Sequence, residues 1–150
     1  MRLLARGIPA SLTVTLVDGL VLARSAFEHS ANYRSVMVLG SFHKVEADAE
    51  KRKAFAAFTN KLLPGRWGEV RPPNARELRA STILALPVVE AAAKVRTGPP
   101  TDDDSDDAAL DVWAGEIPLM SRFAAPVPAP GLRAGIPLDP SLTRLLAADE

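Results

Sequence analysis

The sequence predicts an α+β fold, a small and mainly antiparallel β-barrel with helices inserted between its strands. Three observations predict it. Two long stretches, Ser35–Val45 and Ser81–Thr97, carry the period-two alternation of strands. An Asp18-Gly19 pair separates two further β-runs. Two helical patterns, Ala47–Leu63 and Asn74–Ala80, fall between strands whose connections are otherwise short.

Composition narrows the class. A chain of 150 residues with 47% hydrophobic and 24% charged residues suits one domain with a real core. Its 18 basic and 18 acidic residues cancel, which argues against the broad positive field that nucleic acid requires. With no Cys, disulfides, thiol nucleophiles and Cys-ligated metals are excluded. The opening residues through Gly7 and Pro9 do not read as a signal peptide, and no later apolar run is long enough for a membrane span. A cytoplasmic protein with no membrane partner is the expectation.

Arg2–Arg6 reads as the last turn of a helix stopped by Gly7. Ser11–Val17 alternates, with Leu12, Val14 and Leu16 on one face and Ser11, Thr13 and Thr15 on the other. Asp18-Gly19 then predicts a type I′ hairpin turn leading into Leu20–Ala26. The stretch Ala26–Val45, which begins as a polar loop and runs into a strand, holds both histidines and the sole tyrosine, Tyr33. Ser35–Val45 is the third strand, apolar on both faces at its start and bent at Gly40.

Ala47–Leu63 is a helix with Phe55, Phe58 and Leu62 on one stripe. Lys51, Arg52 and Lys53 lie largely off that stripe, and Asp48 and Arg52 are spaced as a surface ion pair. Asn74 and Glu77 form a capping box for a short second helix. Pro87 marks an edge or bulge in Ser81–Thr97, beyond which Glu90, Ala92, Lys94 and Arg96 share a face. Thr101–Asp107 is a solvated acidic loop, and Leu110–Leu119 a short strand. Ala124–Leu138 is an extended Pro-rich tail, followed by a helix with Asp139 as N-cap and Pro140 at its first position. The domain expectation is 1–120 for the β-domain and 121–150 for the tail with its short helix.

Lys94 and Arg96 are the sharpest pair by spacing. Two residues apart on a strand, they project from one face about 7 Å apart, a span that an anionic group can fill. Spacing alone equally supports two ordinary solvent-facing charges, or partners for the acidic loop. Tyr33, Arg34 and Ser35 offer a ring, a donor fork and a hydroxyl, although neighbouring strand residues face opposite ways. Trp113 is read as core or as a stacking platform. His29 and His43 sit on different elements and make no metal site; neither is assigned a catalytic role. The Asp102–Asp107 run lacks the Gly and distal Glu of a calcium loop. No phosphate-binding glycine loop, nucleophile elbow or catalytic triad is present.

Several runs together resemble a known family: Thr13–Phe27, His29-Ser30-Ala31-Asn32-Tyr33-Arg34-Ser35-Val36, Pro64-Gly65-Arg66-Trp67, Ala93–Pro99 and Val112-Trp113-Ala114-Gly115. They look like the flavin-nucleotide-binding branch of the pyridoxamine 5′-phosphate oxidase-like family, from near the start to about Leu119. The resemblance implies a split β-barrel that forms a homodimer and binds FMN at the subunit interface, where the flavin carries the redox chemistry. It makes Ser35 and Arg34 flavin contacts, gives Lys94 and Arg96 a phosphate or ring-edge role, and brings Trp113 near the flavin.

Two departures stand out. Glu28 occupies a position where relatives usually carry a second His. The family also has opening strands and a phosphate-gripping turn ahead of the segment that is Arg2–Arg6 here, so the expectation is a barrel truncated at its N-terminus. The leading functional reading is an FMN-dependent oxidoreductase acting on an unidentified small molecule. The alternative is a shortened barrel without flavin that serves as a binding or assembly module.

Overall fold

A computed structural model describes residues 3–102 and 106–148. The elements in chain order are β1 (Pro9–Leu22), β2 (Ser30–Ser41), β3 (His43–Lys44), α1 (Asp48–Leu62), α2 (Ala75–Ala80), β4 (Leu84–Ala85), β5 (Glu90–Arg96), β6 (Gly115–Pro118) and α3 (Pro140–Ala147). The chain divides into two compact units. One joins the segment up to Phe42 with Leu86–Ser121; the other joins His43–Ala85 with the segment from Arg122 onward.

The first unit is a four-stranded antiparallel sheet in the order β5-β2-β1-β6. The predicted hairpin at Asp18-Gly19 is absent. β1 runs through the pair as one strand of 14 residues, and β2 accompanies it from Ser41 to Ser30. A type I′ turn needs positive φ at both central residues, and neither Asp18 nor Gly19 has it. Instead the register shifts between Val17 and Gly19, leaving Asp18 as the extra residue of a bulge. Gly19 is required for another reason: a Cβ there would lie 2.8 Å from the Ile117 carbonyl oxygen of β6. β2 likewise begins at Ser30, inside the stretch read as a loop, because β1 continues far enough to pair with it.

The bulge reverses the parity of β1. Before it, Leu12, Val14 and Leu16 share a side with Arg34, Val36 and Val38 of β2; after it, Gly19 and Val21 take that side. Val21 is fully buried and Ala23 nearly so. The acidic loop is not wholly solvated either. Asp102 is buried, accepting from the Arg24 backbone N–H at 2.5 Å and from its guanidinium at 3.1 Å. The Arg24 N–H above all holds its carboxyl below the usual range. Residues 103–105 of that run lie outside the described residues.

In the second unit α2 forms as its capping box predicts, with Glu77 N–H donating to Asn74 Oδ1 at 2.9 Å and Asn74 N–H to Glu77 Oε2 at 2.7 Å. Lys51 is buried rather than on the solvent face, and Arg52 donates to the Pro73 carbonyl at 2.8 Å instead of pairing with Asp48. Phe58 and Leu62 of the α1 stripe remain exposed. Asp139 precedes α3 as expected but does not cap it; its carboxylate pairs with Arg66. The cap comes from Glu69, which accepts from both the backbone N–H (2.9 Å) and the hydroxyl of Ser141. The long third and fourth predicted strands are each split in two, the third into β2 and β3 and the fourth into β4 and β5. Phe42 and Leu86–Val89 lie between the strands, leaving β3 and β4 as a two-residue ladder.

Candidate functional site

The register assembles one face of the sheet. Thr13 pairs with Met37, Thr15 with Ser35 and Val17 with Tyr33 across β1 and β2. Tyr33 pairs with Arg96, Ser35 with Lys94 and Met37 with Ala92 across β2 and β5. Directly opposed residues project to the same side. On that side lies a cavity of about 420 Å³, lined by Thr13, Tyr33, Ser35, Met37, Ala92 and Lys94 among others.

Its chemistry is that of a cradle for an anionic, ring-bearing ligand. Lys94 Nζ stands 6.0 Å from the Tyr33 ring centroid, at the outer reach of a cation–π contact. Among the described residues it forms no salt bridge with a carboxylate. Ser35 Oγ and Thr15 Oγ1 are 2.8 Å apart. One hydroxyl donates to the other, so one O–H of the pair remains to donate elsewhere. Met37 and Ala92 supply an apolar surface beside these polar groups.

The structure thus brings Ser35, Lys94 and the candidate ring of Tyr33 together, and adds Thr13 and Met37, which the sequence does not single out. The signal was parity: Tyr33 and Ser35 are two apart on one strand, whereas Arg34 between them faces the other way. There Arg34 binds Asp18 in bidentate fashion, Nε to Oδ2 at 2.9 Å and the second donor to Oδ1 at 2.7 Å. This pairing lowers the Asp18 carboxyl pKa and raises that of the guanidinium.

Arg96 shares the groove side by register, but its guanidinium donates to Asn32 Oδ1 (2.6 Å), Gly98 O (3.1 Å) and Pro99 O (3.3 Å). It therefore straps the turn after β5. Buried Asn32 in turn donates to Glu116 of β6 at 2.5 Å. Trp113 lies before β6, not within a strand as expected, and its indole occupies the place of a Gly115 side chain, where a Cβ would be 3.0 Å away. Among the described residues no three His, Asp or Glu side chains gather as a metal site, and no helix is long and apolar enough to cross a membrane.

A family model described as pyridoxamine 5′-phosphate oxidase matches residues 1–95. Two solved structures are close. The flavocytochrome Anf3 from Azotobacter vinelandii superposes with a TM-score of 0.86 at 38% identity, covering 96% of this chain and 66% of that one. A FAD- and haem-binding protein from Mycobacterium smegmatis superposes with a TM-score of 0.88 at 42% identity, covering 96% of this chain and 70% of that one. No curated protein matches the chain. It spans about two thirds of the length of both solved chains. The α+β split-barrel class expected from the sequence holds. By family match, identity and superposition together, the chain belongs to the pyridoxamine 5′-phosphate oxidase family.

Proposed function

We propose that this protein binds a flavin nucleotide along the β1–β2–β5 groove and uses it to oxidise or reduce a small molecule. The observation that carries the reading is the set of Lys94, Tyr33 and Ser35 on one side of the sheet, around a cavity of about 420 Å³. A flavin is a flat ring with a polar rim, joined to an anionic phosphate. Lys94 suits the anion, the Ser35–Thr15 pair suits the rim, and Met37 with Ala92 suits the ring body. When bound, the isoalloxazine supplies the redox chemistry.

The family resemblance favours FMN, while the M. smegmatis neighbour binds FAD and haem. The proposal commits to the isoalloxazine–ribityl–phosphate part that FMN and FAD share. Arg96 keeps the end of β5 in place beside Lys94, and Arg34 serves a flavin on a second copy of the chain. A homodimer is part of the proposal, supported by the apolar face that carries Arg34. Haem as a second group is also part of the proposal, supported by the M. smegmatis neighbour, which binds haem beside FAD. The absence of Cys suits a cytoplasmic setting.

Titration of the purified protein with FMN, FAD and riboflavin tests the flavin reading. Binding is expected to quench flavin fluorescence and to raise Tm, since a ligand of the native state stabilises it. Lys94→Ala is expected to weaken FMN and FAD roughly 10- to 100-fold, as for loss of a charge-assisted hydrogen bond, and riboflavin little. Equal loss for all three ligands would remove the phosphate role of Lys94. No binding of any flavin by the wild-type protein would sink the reading.

A further inference from the structure

We infer that Asn32 and Glu116 are positioning residues that set the charge of the flavin groove: they hold the Arg96 guanidinium out of it and leave Lys94 as its one cation. The inference rests on the flavin reading above and names what limits the preference of that site for a phosphorylated flavin. Val17, Tyr33 and Arg96 form one row across β1, β2 and β5, and Thr15, Ser35 and Lys94 form the next row on the same side. The Arg96 side chain therefore starts about 7 Å from that of Lys94, over the same groove. Among the described residues that line the cavity, however, Lys94 alone is charged. The Arg96 guanidinium lies instead 2.6 Å from Asn32 Oδ1. Asn32 is next to Tyr33 on β2 and so faces the other side of the sheet.

The hold is a hydrogen-bonded chain whose polarity is fixed at both ends. A guanidinium only donates, so Asn32 turns its oxygen to Arg96. An ionised carboxylate only accepts, so the Asn32 amide nitrogen turns to Glu116 Oε2, at 2.5 Å. The register lets Glu116 reach this far from β6. Asn32 pairs with Gly19 and Gly19 with Pro118, and Glu116 lies two residues before Pro118, on the same side. Gly19 has no side chain to stand between them. Asn32 is only 6% exposed, so cation and carboxylate polarise its amide with little screening by water. The carbonyls of Gly98 at 3.1 Å and Pro99 at 3.3 Å complete the hold on Arg96. The Asn32 contact is the shortest of the three, and the one that a side-chain substitution removes. Without it, a phosphate beside Lys94 offers Arg96 a bidentate anionic acceptor in place of two neutral carbonyls.

Fluorescence titration with FMN and with riboflavin tests the inference, read as the ratio of the two Kd values in wild type and variants. Asn32→Ala is expected to raise the preference for FMN over riboflavin at least ~10-fold, as for one charge-assisted hydrogen bond gained. FMN binding should also become more sensitive to salt. Adding Arg96→Ala to Asn32→Ala should abolish the gain. Glu116→Ala, at an exposed position, should move the ratio in the same direction, and it carries the test if Asn32→Ala melts early. Glu116→Gln, whose amide oxygen still accepts from Asn32, should leave the ratio at its wild-type value. A purely structural role would weaken both ligands alike and move no ratio. A ratio that fails to rise in either folded alanine variant, or a rise that survives Arg96→Ala, overturns the inference while the flavin reading stands. Wild-type protein that binds neither flavin overturns the flavin reading, and this inference with it.

Discussion

Lys51 is buried, and among the described residues it forms no salt bridge. Its Nζ donates to the carbonyls of Leu78 at 3.0 Å and Ser81 at 3.1 Å, where α2 ends and its last carbonyls lack intrahelical partners. The negative end of the helix dipole stands in for a carboxylate. Leu78, whose carbonyl is held this way, is itself fully buried. Lys51→Met would keep the apolar stem but strand two acceptors, at a cost of about 1–3 kcal/mol. In a chain of this size that lowers Tm by roughly 2–4 °C per kcal/mol. Urea denaturation of the two proteins checks it, and an unchanged midpoint would show that water replaces the ammonium without loss.

Among the elements, β1 shows what local signals can and cannot settle. Asp18-Gly19 carries a turn signal, yet β2 supplies 12 residues of partner and no reversal occurs. What Gly19 provides is close approach. Gly19→Ala places a Cβ 2.8 Å from the Ile117 carbonyl oxygen, so β6 must shift or detach. The expected loss is roughly 1–3 kcal/mol, as for overpacking elsewhere, with faster amide exchange in Gly115–Ile117 than in the centre of β2. Uniform exchange across the sheet would place the strain elsewhere.

α2 was legible in full because Asn74 and Glu77 hold their partners within one turn. The start of α3 was legible from Pro140, but its cap was not, since Glu69 reaches it from a distant stretch of chain. The site divides the same way. Ser35 and Lys94 could be singled out from residue type and resemblance, and alternation separated Ser35 from Arg34. The engagement of Arg96 by Asn32, and of Trp113 by Gly115, depends on which strands become neighbours, which no local pattern encodes.

At the scale of the whole molecule, the two sides of the first unit's sheet differ in kind. One carries the groove with its hydroxyls and Lys94. The other presents Leu12, Val14, Leu16, Val36 and Val95, each between 45% and 62% exposed, with Arg34 and Asp18 paired among them. Contiguous apolar faces of this sort mark interaction sites in soluble proteins, and a stable dimer needs about 800 Å² from each partner. Val14 lies at the centre of this face, opposite Val36, which is flanked in turn by Ala93. In the proposed homodimer Val14→Lys would bury an unpaired ammonium, so the dimer Kd is expected to rise at least ~10-fold. Ser11→Lys, on the opposite side of the same strand, should leave association unchanged. Light scattering coupled to gel filtration over a concentration series reads both. A monomeric wild type at tens of micromolar, or two variants that behave alike, would end the proposal. Arg34 links this test to the flavin: if it serves the cofactor of a second copy, Val14→Lys must also weaken flavin binding, and by less at protein concentrations that restore the dimer. A flavin affinity indifferent to both the substitution and the concentration would confine the site to one chain and leave Arg34 with Asp18 alone.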